Sequence, residues 1–290
     1  MSDGRVLQSL HRIESSILCD PNLSELHQES KAENGLTIFI PNWNHRSYLP
    51  RSINSALQAV EHLEEAGFSA EVLVIDDASR DGSQKLLRSI QMLYEGSRLK
   101  TLFLKQNLGL SRLRNLALLV SRFRYVCMLD ADDELVPDNL PLFLQSIIET
   151  GAALVHGNLI VKQGEEVTGV LPGTVATMRL TRANFIAAFA LVDARRLLRE
   201  GGFTSDSRLY EDWEMVLHLI AEEERIVLVP AVMGYIYRNP ESLLTREGGS
   251  LSEEMIALVQ RMFAQTGTRE WDSVQVGYFY HPAVGFVDQR

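Results

Sequence analysis

Two spacings of apolar residues alternate along the first half of the chain. Leu36 to Ile40 (LTIFI) is a short β-branched and aromatic run closed by Pro41 and Asn42, which predicts a buried strand running into a loop. Ser47 to Ala66 places Leu49, Ile53, Leu57, Val60 and Leu63 near helical period, and Gly67 follows as a C-terminal cap. The order then repeats: strand at Glu71 to Ile75, helix at Ser83 to Tyr94, strand at Lys100 to Leu104, helix at Leu110 to Val120, strand at Tyr125 to Leu129. Strands alternating with helices predict an α/β fold on a largely parallel sheet with right-handed crossovers.

Beyond Asp133 the alternation loosens. A helix is expected from Asn139 to Glu149, strands at Leu154 to His156 and Leu159 to Val161, and loops at Gly164 and Gly169 to Gly173. A helix from Asn184, a turn at Gly201-Gly202, a helix from Glu211 to Glu223, and strands at Ile226 to Val229 and Gly234 to Tyr237 complete the core. Before it, Val6, Leu7, Leu10, Ile13, Ile17 and Leu18 form a helical stripe ended by Pro21. The expected organisation is an N-terminal helical extension over 1–35, a main domain over 36–247 and a C-terminal part over 248–290. The main domain divides into halves at 36–135 and 136–247. The C-terminal part begins at Gly248-Gly249 and holds a helix near Ser252 to Ala264 and an aromatic tail, Tyr278 to Phe286. No internal repeat or low-complexity segment interrupts this order.

Composition narrows the function. The 290 residues include 28 Lys+Arg and 38 Asp+Glu, a formal charge of −10 that repels phosphate backbones and argues against nucleic acid as a partner. Arg112, Arg114, Arg122 and Arg124 gather locally but scatter over more than one helical face. A spanning helix needs about 20 apolar residues, and the longest comparable run, Phe185 to Val192, is far shorter. The first residues lack a signal-peptide core, and the two cysteines, Cys19 and Cys127, make no disulfide framework. These features point to a cytoplasmic protein with no transmembrane segment, for which peripheral contact with a membrane stays open, as does the oligomeric state.

Ligands of open α/β sheets bind beyond the carboxyl ends of the strands, so the polar residues there carry the chemistry. Pro41-Asn42-Trp43-Asn44 follows the first strand, Asp76-Asp77 the second, and Asp130-Ala131-Asp132-Asp133 the strand at Tyr125 to Leu129. Carboxylates at several strand ends make an acidic cleft whose self-repulsion a hard divalent cation relieves, which suggests Mg²⁺ or Mn²⁺. Asp130 and Asp132, two apart, can face one ion from a common side. The plainer alternative is that single acidic residues cap the next helix, as Asp76 or Asp81 could for the helix from Ser83. Trp43, between polar neighbours, suits a stacking surface better than a core position.

In order, PNWN at 41–44, VIDDASRDGS at 74–83, NLGLSRLRNLAL at 107–118, LDADDEL at 129–135, GGF at 201–203, YEDWEM at 210–215 and YR at 237–238 resemble a family 2 glycosyltransferase. The resemblance spans Leu36 to Leu244. It implies a GT-A type, Rossmann-like mixed sheet, mainly parallel and flanked by helices. It also implies an inverting transfer of a sugar from a nucleotide-diphosphate donor, most often UDP-linked, to a hydroxyl on a carbohydrate or lipid-linked sugar.

Carried over position by position, the resemblance puts Pro41, Asn42, Trp43 and Asn44 at the nucleotide, with Asp77 and Asp76 toward the base. Asp130 then contacts ribose or metal, Asp132 binds the metal, and Asp133 supports from behind. Arg114 lies near the donor, or holds its loop by an ion pair. Glu211 and Asp212 mark the acceptor site, with Asp212 as general base, and Trp213 either floors an acceptor sugar or packs the helix. A histidine common shortly after YR in such proteins is replaced by Asn239-Pro240, which shifts weight onto Asp132, Arg238 and Ser242. His156 and His218 fit structural positions.

Two other classes compete. LDADDEL after an apolar strand also resembles the Asp-x-Asp of phosphatases, using Asp130 and Asp132, although that pattern belongs near a domain's start. A non-catalytic domain that binds nucleotide sugars is the other. No phosphate loop of the G-x-x-x-x-G-K-[ST] type and no G-x-G-x-x-G fingerprint occurs.

Overall fold

A computed structural model of the chain describes residues 32–94, 98–171, 173, 186, 188–203, 211–222, 224–238, 278–281 and 285–288. The expected N-terminal helix, Cys19, the Gly248-Gly249 pair, the helix near Ser252 to Ala264 and the Asn239-Pro240 departure lie outside these residues.

The strand-helix repeat stands where periodicity puts it. Strand β1 (Ala32–Asn42) leads to helix α1 (Leu49–Glu65), then β2 (Ser69–Asp76), α2 (Ser83–Leu93), β3 (Leu99–Phe103), α3 (Leu110–Val120) and β4 (Phe123–Met128). β1 pairs in parallel with β2 and β4, and β2 with β3. Side chains alternate across β1: Leu36, Ile38 and Ile40 pack with Leu49, Ile53, Ala56 and Val60 of α1, while Phe39 packs on the opposite face with Leu113, Leu116 and Ala117 of α3. The sheet is thus covered on both faces, which accounts for the nearly continuous apolar runs of its parallel strands.

The second half departs from expectation in its strands. A two-residue β5 (Glu134–Leu135), a 3₁₀ turn (Pro137–Asn139) and helix α4 (Leu140–Thr150) lead to β6 (Leu154–Gln163). β6 is one strand rather than two, bulged at Gly157. Gly169 lies in a further strand, β7 (Glu166–Leu171), which folds back on β6 through the turn at Gly164, where φ is +61°. Asn184, where a helix is expected to start, lies outside the described residues; further along, before the Gly201-Gly202 turn, comes an unforeseen β8 (Leu191–Asp193), antiparallel to both β4 and β6. Helix α5 (Ala194–Arg199) and helix α6 (Glu211–Ala221) follow.

β9 (Ile226–Tyr237) is likewise continuous, although Pro230 divides its sequence pattern. The pairing slips between the His156–Leu228 and Asn158–Val232 partners, so that β9 carries extra residues where the proline sits, as bulges permit. Part of the aromatic tail forms β10 (Tyr278–His281) and β11 (Gly285–Asp288). The sheet runs β11-β10-β9-β6-β8-β4-β1-β2-β3, with β5 on β9 and β7 on β6. This mixed, mainly parallel sheet between helices carries the ends of β1, β2 and β4 side by side on one rim.

Candidate functional site

The first two strand ends are knotted together. Asp76 is buried, and its carboxylate accepts from Asn42 Nδ2 at 2.6 Å, the Ser79 backbone N–H at 3.0 Å and Gln84 Nε2 at 2.8 Å. Asn44, at φ +59°, donates its backbone N–H to Ser79 Oγ at 2.9 Å and accepts from the Arg80 N–H at 2.8 Å. Asp81 accepts from the Ser83 N–H at 2.9 Å, at the start of α2, and from the Arg46 N–H at 2.8 Å.

Asp77 is buried as well and grips the entry to α3, accepting from the Leu108 N–H at 2.7 Å and the Gly109 N–H at 3.0 Å. Burial lifts its carboxyl above the ordinary range; the two N–H donors oppose the shift and neighbouring Asp76 adds to it. The expected broad acidic cleft is therefore narrower, with Asp76 and Asp77 turned inward. Trp43 is 56% exposed beside them, a free aromatic face at the rim.

The turn after β4 carries the other carboxylates. The Asp130 side chain is 39% exposed and accepts from Arg114 Nη2 at 3.0 Å. Asp132 is half-buried; burial and the Asp130 charge raise its carboxyl, against the pull of His45 and Arg51. Asp133 is buried and accepts from the Tyr237 N–H at 3.1 Å. Burial, then Asp132 and Asp130, push it well above the carboxylate range.

Arg114 joins this turn to the second half. Only 2% exposed, its guanidinium lies between Asp130 and Glu211, donating Nη1 to Glu211 Oε1 and lying 5.5 Å from the centre of the Phe203 ring. Burial opposes its charge, and Asp130, Glu211 and Asp212 outweigh burial, so the guanidinium stays protonated. Of the two sequence alternatives for Arg114, the geometry is that of the ion pair.

Asp212, next to Glu211 in the first turn of α6, is half-buried. Its Oδ2 accepts from the Ala188 N–H at 3.2 Å and its Oδ1 from the Trp213 N–H at 2.7 Å. These backbone donors fix the orientation of the carboxylate at the start of α6. Trp213 is 1% exposed, so its indole packs the helix in the interior and turns no face outward for a sugar. His156 is buried, and His218 Nε2 lies 3.9 Å from Glu214 Oε1. Pro41 pairs with Ile75 in the sheet.

Sequence reasoning passed over Arg51, which donates to the Asp132 carbonyl and stacks at 3.4 Å on the Tyr237 ring. It also passed over Ser79 and Gln84, which complete the Asp76 knot.

A family model, Glycosyl transferase family 2, matches residues 37–211, more than half of the chain. The chain belongs to glycosyl transferase family 2. Among curated relatives, a putative teichuronic acid biosynthesis glycosyltransferase, TuaG of Bacillus subtilis, is 30% identical over 119 residues, 41% of this chain and 44% of that protein. The succinoglycan biosynthesis protein ExoO of Rhizobium meliloti is 26% identical over 73% of this chain and 62% of its own length. The chain thus spans about half the length of these relatives. In fold, it is similar to S. aureus TarS 1-349 in complex with UDP-GlcNAc, with a TM-score of 0.62 at 19% identity, covering 79% of this chain and 65% of that one. The mannosyltransferase PcManGT of Pyrobaculum calidifontis, in complex with GDP-Man and Mn²⁺, gives a TM-score of 0.56 at 16% identity over 81% and 68% of the two chains.

Family 2 membership covers β1 through Glu211 and sets aside the phosphatase alternative, which accounts for neither end of that span. For the divalent ion such a domain implies, the residue chemistry fits: Asp130 and Asp132 carry hard carboxylate oxygens whose mutual repulsion a cation would relieve. Among the described residues no three His, Cys, Asp or Glu side chains form a metal cage, so waters and a diphosphate would complete the shell. No helix of the described residues is long and apolar enough to cross a membrane.

Proposed function

We propose that this chain transfers a sugar, with inversion, from a nucleotide-diphosphate donor, UDP-linked in the first instance, to a hydroxyl of a carbohydrate or lipid-linked sugar acceptor. The observation that carries this reading is the buried Arg114, which holds the Asp130 turn and the Glu211-Asp212 pair on one cation. Two carboxylate sets with different tasks are thereby kept in fixed relation: one toward a phosphorylated donor, one toward a nucleophile.

Trp43 offers its exposed face to the base, with exposed Asn44 beside it at the rim and the buried Pro41, Asn42, Asp76 and Asp77 bracing it from behind. Asp130 and Asp132 would hold a Mn²⁺ or Mg²⁺ ion, whose charge offsets that of the departing diphosphate. Asp212 takes the proton of the acceptor hydroxyl as that oxygen attacks the anomeric carbon; the bond to the diphosphate breaks on the opposite face, and the diphosphate leaves with the electron pair. Glu211, tied to Arg114, orients its neighbour. A carbohydrate acceptor is supported by relatives named for teichuronic acid and succinoglycan biosynthesis, and a lipid-linked one by another, of Escherichia coli, named as a UDP-Glc:alpha-D-GlcNAc-diphosphoundecaprenol beta-1,3-glucosyltransferase. We place the catalysis in the 36–247 unit, on the cytoplasmic side, with peripheral membrane contact where the acceptor is lipid-linked.

Calorimetric titration with UDP and GDP, each with Mn²⁺, Mg²⁺ or chelator, tests the reading on the wild type and on Asp132→Ala. Micromolar, metal-dependent binding of one nucleotide, lost in the variant, is the expected result. Binding of neither nucleotide under any condition overturns it.

A further inference from the structure

Helix α1 belongs to the first half of the sheet, yet it docks the turn after β4 at two points one helical turn apart. Arg51 Nη2 donates to the Asp132 carbonyl, and Ser55 Oγ accepts from the Leu135 N–H at 3.1 Å. The same turn is held from the other side by the end of β9. Glu134 and Leu135 pair with Tyr235 and Gly234, the Val136 N–H donates to the Met233 carbonyl at 2.9 Å, and the Tyr237 N–H donates to Asp133. Between these two supports lies a stack: the Arg51 guanidinium sits 3.4 Å over the Tyr237 ring, and the Tyr237 hydroxyl donates to Glu134 Oε2 at 2.6 Å.

The stack is costly to build. Arg51 Nε is enclosed with no hydrogen-bond partner among the described residues, and an enclosed donor without an acceptor lowers stability. Stability alone gives little reason for a half-buried arginine with an orphan donor at this place. Position does: the carbonyl that Arg51 grips belongs to Asp132, so the contact fixes the backbone from which that carboxylate projects. A guanidinium, planar and able to stack and donate at once, does this where an ammonium cannot.

We infer that Arg51, clamped by Tyr237, is a positioning residue for the donor turn, setting the affinity for divalent cation and diphosphate through the direction of Asp132. The inference rests on the donor-site reading above and deepens it. Arg51 touches neither donor nor metal in this account; it acts through the Asp132 carbonyl.

The test uses the full chain and the nucleotide that the wild type binds, with Mn²⁺ titrated to half-maximal nucleotide binding. Arg51→Met and Tyr237→Leu each raise the required Mn²⁺ about tenfold, the scale of one charge-assisted hydrogen bond, and the double variant raises it no further. Arg51→Lys lies between them and the wild type, because charge without the planar stack restores only part of the geometry. Arg98→Met removes an ion pair with Glu61 and Glu64 at the other end of α1 and leaves the Mn²⁺ requirement unchanged. Should Arg51→Met not fold by circular dichroism, Arg51→Lys and Tyr237→Leu carry the decision. A folded Arg51 variant with wild-type Mn²⁺ requirement overturns the positioning role alone. A wild type that binds neither nucleotide overturns the donor reading and this inference together.

Discussion

Arg114 donates to Asp130 Oδ1 at 3.0 Å from a position only 2% exposed to solvent. A guanidinium so deeply placed needs its anions, and removing one member of such a network leaves the others charged and desolvated.

Arg114→Met is accordingly expected to destabilise the fold by about 3–5 kcal/mol, because Glu211 and Asp130 then lose their common cation. Urea unfolding of the two proteins at neutral pH measures this, and a variant within ~0.5 kcal/mol of wild type would show that the bridge is dispensable.

Asp212→Asn separates binding from chemistry. Loss of a general base lowers kcat by about 10²- to 10⁴-fold, while nucleotide affinity measured by calorimetry stays within ~3-fold. An equal loss in both would assign Asp212 to donor binding instead. Since both carboxylate oxygens accept backbone N–H groups, the amide forfeits one such bond, with a stability loss of about 1 kcal/mol.

Asp77 supplies a pH dependence whose sign is fixed by its surroundings. Its carboxyl is raised in the folded protein, chiefly by burial, so the stability it contributes is present in full below the unfolded value of about 3.9 and is lost as pH climbs through the folded value. Wild type should therefore lose ground relative to Asp77→Asn between pH 4 and neutrality. Urea midpoints at several pH values decide the matter; a wild-type advantage that grew with pH would contradict the shift.

Trp43 gives an optical handle on the rim. Trp43 is 56% exposed and Trp213 1% exposed, so of the chain's three tryptophans Trp43 should carry most of the fluorescence change when UDP or GDP is added with Mn²⁺; Trp43→Phe should abolish most of that change and Trp271→Phe should leave it in place. An undiminished response in the variant would move the base elsewhere.

Much of the first half could be read from spacing alone because its parallel strands are long apolar runs and its helices carry clean stripes. β8 escaped because three buried residues, Leu191, Val192 and Asp193, set no period; they are a strand only because β4 and β6 flank them. Pro230 hid the continuity of β9, which the bulged pairing to β6 restores. Gly234 shows why that region looked like a break: a Cβ there would meet the Glu134 carbonyl oxygen at 2.5 Å, so β5 can approach β9 only over a glycine. Within the site, Asp130, Asp132 and Asp212 stand at ends of elements where sequence order finds them. Arg51 acts on a carbonyl 81 residues away, and a backbone acceptor leaves no side-chain signature.

The bridge from Arg114 to Glu211 spans 97 positions of sequence. Local helices and hairpins form early, whereas closing so long a loop waits until the elements at both ends are nearly in place. Until α6 arrives, the guanidinium on α3 has only Asp130 to answer it and stays open to water. The two carboxylate sets therefore come into register only once both ends of that span are in place, so site assembly and closure of the Arg114 bridge are one requirement on the fold.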